Sequence, residues 1–388
     1  MYKTMLSENP ELNNIFNHAN QVNNSQPQAL AGSLYAYASH IDDLGALSPA
    51  VEKICQKHAS LYIRPEQYET VATYLLKAMG DVLGAALTPE VLEAWGVAYW
   101  QLANIMINKE AGMMKERPGW TDWRDFRIAR KVPESDEITS FYLEPVDGQK
   151  LPPFLPGQYI SVMTNVPKLK YLQSRQYSLS DAPESSYYRV SVKREDGLNY
   201  KAAGAEAHPG YISNVLHAER KVGDVVSVSH PAGEFFLDPW KEINVPVVLI
   251  SAGVGLTPMT SILNTLIKRR SQQRISFVHA ARSTSVRAFK DHIRDIVARN
   301  ANVNSAVFIK TPDTDQDVKG VDYHHIGRMN LDALDKVKDL FLDSKDTIYF
   351  VCGPDTFMKD IAYRLADLGV EESRVRLELF GTGAIPTA

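Results

Sequence analysis

The sequence predicts three modules in series: an all-α domain over residues 1–114, an antiparallel β-barrel over 121–240, and a doubly wound α/β domain over 244–388. Three observations predict them. Up to Met114, apolar residues recur at three- and four-residue intervals between proline-marked breaks, with no alternating stretch. From Phe126 to Ser229, short alternating strands follow one another, separated by turn signals and without long helices. From Val247, a continuous apolar strand runs into a glycine-rich turn and a helix, as in a parallel sheet covered on both faces.

The totals suit this reading. The chain has 388 residues, 44% hydrophobic and 23% charged, which is ordinary for a soluble globular protein of two or three domains. A net charge of −4 offers no nucleic-acid surface. No apolar run approaches membrane-spanning length, and Met1–Asn9 lacks the charged-then-apolar character of a secretory signal. The two cysteines, Cys55 and Cys352, lie far apart without metal-ligand spacing, so a reducing, cytoplasmic location is expected.

In the first module Asn9-Pro10 marks an early turn, and Gln28–Ile41 sets Leu30, Leu34, Tyr37 and Ile41 on one helix face. Ser48-Pro49 reads as an N-cap and first helical position, opening a helix to about Ser60 that carries Ile54, Cys55 and His58. Arg64-Pro65 ends it and starts the next helix, through Tyr68, Val71 and Leu75. Thr88-Pro89-Glu90 opens the last, long helix, with Trp95, Tyr99, Leu102, Ile105 and Glu110.

A lone histidine is ordinarily an exposed or hydrogen-bonded side chain that holds no ligand. Around His58, however, Phe16 and Leu30 are placed to line an apolar slot of the kind a haem needs. Tyr68 and Glu110 lie where neighbouring helices converge behind it. A carboxylate that accepts the other ring N–H sets the tautomer and raises ligand basicity.

Asn9-Pro10-Glu11-Leu12, Ile15-Phe16-Asn17, Ala50-Val51-Glu52-Lys53-Ile54, Lys57-His58 and Arg64-Pro65-Glu66-Gln67-Tyr68 resemble the globin domain of bacterial flavohaemoglobins. The resemblance implies that His58 is the proximal haem ligand, with Tyr68 and Glu110 as the hydrogen-bonded pair behind it. It implies Phe16 packed on the porphyrin, Leu30 on the distal side, Lys57 near a propionate, and Tyr2 and Gln26 as distal polar groups facing oxygen. Family members have a first helix and most of a second before the position of Tyr2; this sequence starts almost at that tyrosine.

In the second module the strands are Phe126–Arg130, Ile138–Glu144, Tyr159–Thr164, Ser174–Asp181, Tyr188–Lys193 and Val225–Ser229. Arg175-Gln176-Tyr177-Ser178 offers a flavin a cationic fork for its pyrophosphate, a flat ring with a hydroxyl, and a hydroxyl for its edge. With Pro156-Gly157-Gln158-Tyr159, Tyr211-Ile212-Ser213-Asn214 and Pro231-Ala232-Gly233-Glu234-Phe235, the stretch resembles the flavin-binding barrel of ferredoxin-reductase-type proteins. That resemblance puts FAD here, with a helix opened near Gly210–Ser213 directing N–H groups at the pyrophosphate. Tyr159 then lines the flavin site or is a plain barrel residue, and Ser213 binds flavin or is a plain N-cap.

In the third module the strand Val247–Ser251 leads through Gly253-Val254-Gly255-Leu256-Thr257-Pro258 into a helix over Met259–Ile267. The glycines permit a tight turn and close approach of a pyrophosphate, with Pro258 starting the helix that faces it. Strands Ile275–Ala281, Val303–Ile309, Thr347–Cys352 and Val375–Phe380, with helices over Val286–Asn300 and Asp355–Leu368, complete the pattern. Cys352-Gly353-Pro354 ends a strand at the carboxyl edge, which in the resembled reductases lies near the nicotinamide. The resemblance puts Phe380, in Glu378-Leu379-Phe380-Gly381, against the flavin ring. NADH and NADPH are not distinguished: Arg282 suits a ribose phosphate or is simply solvated.

Together these features imply an NAD(P)H-dependent nitric oxide dioxygenase that converts NO and O2 to nitrate, with electrons passing from NAD(P)H to FAD to haem b. The choice of nitric oxide follows from the resemblance. The alternatives are a haem-free flavin or ferric reductase, a non-catalytic O2- or NO-binding globin, and a haem-dependent hydroperoxide reductase. The expected partners are NO, O2 and NAD(P)H, with no nucleic acid, membrane span or obligate protein partner.

Overall fold

The computed structural model describes residues 1–16, 25–116, 119–195 and 211–380. Asn17, Arg117-Pro118, Asp196, Gly197, Pro209, Gly210 and everything from Gly381 onward, which the sequence reading uses in places, lie outside these residues. The chain divides into two compact units. One comprises Met1–Asp125, Ile160–Gln176 and Val226–Glu234; the other comprises Phe126–Tyr159, Tyr177–Val225 and Phe235–Ala388.

The helices of the first unit are α1 (Tyr2–Glu8), α2 (Ser25–Ser39), α3 (Ser48–Ser60), α4 (Pro65–Leu83) and α5 (Pro89–Lys115). Prolines set three of the starts, where the lost N–H has no partner in any helix. Arg64 is extended, as a residue before proline must be, and its N–H donates to Gln67 Oε1 at 2.9 Å. Thr88 caps α5, its hydroxyl accepting from Val91 N–H. Ser48 differs from the expectation: α3 already includes it, the cap position is Leu47, and no side chain caps it, because a 3-10 turn over Leu44–Leu47 feeds the helix directly. Cys55, Tyr68, Ala103 and Met106 form the buried core where α3, α4 and α5 meet.

The same unit holds strands β3 (Tyr159–Val166, from Ile160 onward), β4 (Tyr171–Ser178, to Gln176) and β6 (Val225–Val228, from Val226 onward), in the order β4-β3-β6. β3 and β6 run antiparallel, with Val162 opposite Val228. In the second unit β1 (Arg124–Pro133, from Phe126 onward), β2 (Ile138–Pro145) and β5 (Tyr188–Lys193) make the antiparallel order β1-β2-β5, with a bulge in β1 between Ile128 and Arg130. A short helix α6 (Tyr211–Asn214) passes into a π-turn over Val215–Glu219.

The rest of the second unit is a parallel sheet of β7 (Val247–Ala252), β8 (Ile275–Ala281), β9 (Val303–Ile309), β10 (His325–Ile326), β11 (Ile348–Cys352) and β12 (Val375–Glu378). The order is β10-β9-β8-β7-β11-β12, so the sheet grows outward in both directions from β7. Along β7 the side chains alternate: Val247 and Leu249 join the core beneath α7 (Leu256–Lys268) and α8 (Lys290–Arg299), while Val248 and Ile250 join that beneath α9 (Asp355–Asp367). This burial on both faces is what makes the strand read as unbroken apolar sequence. α7 begins at Leu256, earlier than the expected Met259, with Pro258 inside the first turn, where a missing N–H costs nothing. α8 begins at Lys290 rather than Val286, because Phe289 at φ +57° is left-handed and blocks the turn before it.

Candidate functional site

His58 lies in the last turn of α3, Tyr68 in the first turn of α4 and Glu110 near the end of α5. The three helices bring them together, as the sequence anticipates. Tyr68 Oη donates to Glu110 Oε1 over 2.6 Å. His58 Nδ1 lies 2.9 Å from both Tyr68 Oη and Glu110 Oε1. Tyr68 has one hydrogen and spends it on the carboxylate, so both oxygens facing Nδ1 are acceptors and Nδ1 must carry a proton. In the Nδ1–H tautomer the lone pair is on Nε2, the nitrogen a metal would take. Burial, reinforced by the Glu110 charge, pushes the Tyr68 hydroxyl well above the usual tyrosine range, so it remains a donor. Tyr68 and Glu110 are buried, while His58 is half-buried. This donor set fits a haem iron.

Tyr2 sits on α1, its hydroxyl pushed up to about 12 by burial, and its ring meets Phe16 edge-on with centroids 5.6 Å apart. α1 is tied down by Asn9, which donates to Tyr74 Oη at 3.0 Å, and by Tyr74, which donates to Glu8 at 2.7 Å. Leu30, Gln26 and Lys57 are half-buried, the first two on α2 and the third one residue before His58.

The Arg175–Ser178 stretch lies on β4. Arg175 donates to Ser174 O at 2.7 Å, and Gln176 donates to Ser161 Oγ at 3.4 Å. In the second unit Tyr159 and Tyr177 are half-buried, and Ser178 and Ser213 are buried. Ser213 is the third residue of α6 rather than its cap, and its hydroxyl accepts from Glu195 N–H at 3.2 Å. Gly157, at φ +111°, has no room for a side chain, because a Cβ there would stand 2.5 Å from Phe235 O.

The nucleotide loop lies where the strand order reverses, between β7 and β11. Gly253 is exposed at φ +56° with open space around it, as close approach of a ligand requires. Gly255 serves a different need from the one the sequence suggests: a Cβ on it would lie 2.3 Å from Cys352 O, so it lets the loop pack on the end of β11. Val254 is half-buried; Leu256, Thr257 and Pro258 are buried, and Thr257 donates to Val254 O at 3.0 Å. Gly353 is buried against Phe357 and Ala252, and Pro354 is exposed. The Cys352 side chain is fully buried, and burial holds its thiol well above the ordinary range. Glu378 stands beside Cys352 in register, and Phe380 is 43% exposed. Arg282 forms a 2.7 Å ion pair with Glu137.

Ser251 and His279, which no motif singles out, are buried side by side at the ends of β7 and β8, with Ser251 Oγ 2.9 Å from His279 Nδ1. The only sequence signal is that each is a polar residue in an apolar strand.

A helical domain with a backed histidine, followed by an antiparallel flavin-type sheet and a parallel nucleotide-type sheet, defines a globin joined to a reductase. Comparison agrees: the Globin family model matches residues 1–106, and the Oxidoreductase NAD-binding domain model matches residues 249–363. The chain is 47% identical to a flavohemoprotein of Bordetella parapertussis, over 99% of this chain and 93% of that protein. It is 43% identical to one of Bacillus cereus, over 99% and 92%. The chain belongs to the flavohemoprotein family. Among solved structures, a flavohemoglobin from Malassezia yamatoensis with bound FAD and heme superposes with a TM-score of 0.81 at 26% identity, over 98% of this chain and 92% of that one. The FAD/NAD-binding domain of a nitric oxide dioxygenase from Vibrio cholerae matches 67% of this chain and 99% of its own, at 36% identity and a TM-score of 0.57. No helix among the described residues is long and apolar enough to cross a membrane.

Proposed function

We propose that this protein is a cytoplasmic nitric oxide dioxygenase that turns NO and O2 into nitrate at the expense of NAD(P)H, using haem b and FAD. The observation that supports this most is the His58–Tyr68–Glu110 set, which holds Nδ1 protonated and leaves Nε2 for iron. When bound, the three cofactors supply, in order, a hydride, its division into single electrons, and an iron that accepts one electron at a time.

The chain's own residues do the rest. Glu110 and Tyr68 orient the imidazole and raise its basicity through Nδ1–H. Phe16 and Leu30 give the porphyrin apolar walls and limit water, Lys57 suits a propionate, and Tyr2 and Gln26 supply polar groups for oxygen. Arg175, Gln176, Tyr177, Ser178, Tyr159 and Ser213 hold FAD, with Phe380 and Glu378 at its ring. Gly253 to Pro258 and Cys352 to Pro354 frame the nicotinamide nucleotide.

Purified protein given NAD(P)H, O2 and NO should make nitrate. His58→Ala should abolish the haem absorption and this activity, while NAD(P)H-dependent ferricyanide reduction survives. Haem absorption that persists in His58→Ala would refute the ligand assignment.

A further inference from the structure

We propose that Ser161 is a positioning residue for the passage of electrons from flavin to haem; the inference rests on the function proposed above. Within the first unit a directed chain of hydrogen bonds runs from the flavin strand to the peptide next to the haem ligand. Gln176 Nε2 on β4 donates to Ser161 Oγ on β3 at 3.4 Å. Ser161 Oγ donates to Ser60 Oγ, the last residue of α3, at 3.0 Å. Ser60 Oγ donates to Lys57 O at 2.8 Å, the carbonyl of the peptide that leads into His58.

Each hydroxyl gives one hydrogen and receives one, so the chain has a single direction and its members polarise one another. Ser60 and Ser161 are fully buried, where a hydroxyl left without a partner is costly. Ser229, the residue that follows β6, holds Ser161 in place from the other side, since Ser161 N–H donates to Ser229 Oγ at 2.8 Å and Ser161 O accepts from Ser229 N–H at 2.9 Å.

Two further bonds join the same helical segment to the stretch that follows β6. Gly233 N–H donates to Gln56 Oε1 at 3.2 Å, and His230 N–H donates to Tyr62 Oη at 3.0 Å. These flank the serine pair and accept backbone hydrogens. The serine pair leads, side chain by side chain, from a flavin-strand residue to the Lys57 carbonyl, one residue before His58. Ser161 therefore couples the turn that carries His58 to β4.

The test uses wild-type holoprotein, Ser161→Ala and Ser161→Thr, which keeps a hydroxyl. Under anaerobic mixing with NADH or NADPH, flavin bleaching and haem reduction are followed separately, with ferricyanide turnover as a third readout. Flavin bleaching and ferricyanide turnover should be the same in all three proteins. Haem reduction should slow in Ser161→Ala by about two- to thirtyfold, the span expected when a coupling of this kind is lost, and should recover in Ser161→Thr. Hydrogen exchange in the oxidised holoprotein should be faster over residues 56–62 in Ser161→Ala alone.

Haem reduction at the wild-type rate in Ser161→Ala overturns the proposal, and so does an equal slowing of flavin bleaching. If Ser161→Ala fails to fold, Ser60→Ala, which breaks the same pair from the helix side, carries the same expectations. If the wild-type flavin bleaches and its haem never reduces, the proposed function itself fails. A wild type that passes electrons with an indifferent Ser161→Ala sinks only the present inference.

Discussion

Tyr68 gives its one hydroxyl hydrogen to Glu110 across 2.6 Å, and His58 Nδ1 faces both oxygens of that bond. The imidazole proton thus faces two acceptors on two different helices, themselves joined by the Tyr68–Glu110 bond. Glu110 accepts from both partners and Tyr68 merely relays, so the two residues should not be equivalent.

Glu110→Gln should lower NO-consuming turnover of haem-loaded protein by about 10- to 100-fold, the usual effect of losing the partner of a metal-ligating histidine. Tyr68→Phe should cost less, because Glu110 Oε1 still receives Nδ1–H. The double variant should resemble Glu110→Gln alone, since Tyr68 acts through the carboxylate. Turnover normalised to haem content decides it, and additive losses would contradict the relay.

Gly255→Ala should damage the nucleotide domain more than Gly253→Ala. The first drives a methyl to within 2.3 Å of Cys352 O, a backbone atom that cannot step aside; overpacking of this kind costs about 1–3 kcal/mol. The second meets no neighbour and suffers mainly from φ +56°, a strain of about 1–2 kcal/mol. Flavin reduction by NAD(P)H should fall furthest in Gly255→Ala while the haem spectrum of both variants stays that of the wild type.

His279 should impose an acid limit on stability. Burial, with the Arg287 charge adding to it, lowers its pKa from 6.5 to about 3. The unfolded chain then binds a proton that the folded one refuses, so the contribution is complete above 6.5 and is lost as pH falls towards about 3. The slope in that window should be about 1.4 kcal/mol per pH unit from this one group. Denaturant midpoints for His279→Asn should be lower at neutral pH and flatter on the acid side; an unchanged acid slope would remove His279 from the account.

Neither thiol should react in the folded protein. Cys55 and Cys352 are both fully buried, and burial pushes the first up to about 12 and the second well above its ordinary value. A thiol reagent should count none before denaturant and two after it. Rapid labelling of native Cys352 would mean that the end of β11 opens far more readily than its packing suggests.

Local rules placed most elements. Ile275–Ala281 and Val303–Ile309 are strands with the expected bounds, because short, largely buried runs that end at Arg282 and Lys310 suit a covered parallel sheet. Pro65 and Pro89 start helices because proline allows little else. The late start of α8 was not legible: only packing holds Phe289 left-handed, and no residue type announces it. Gly255 was legible as a glycine but not for its reason, since its neighbour Cys352 lies about a hundred residues along the chain.

The sequence by itself determined the order of the three modules, because periodicity is a local property, and its resemblance to the globin domain of flavohaemoglobins singled out His58, Tyr68 and Glu110. Only the tertiary structure decided which nitrogen of His58 holds the proton, that Cys352 turns inward, and that Ser60 meets Ser161. The hydrogen bonds behind the first and last of these join residues up to 101 positions apart. Contacts at such separations are set by how helices and strands pack, and no short stretch of sequence carries that information.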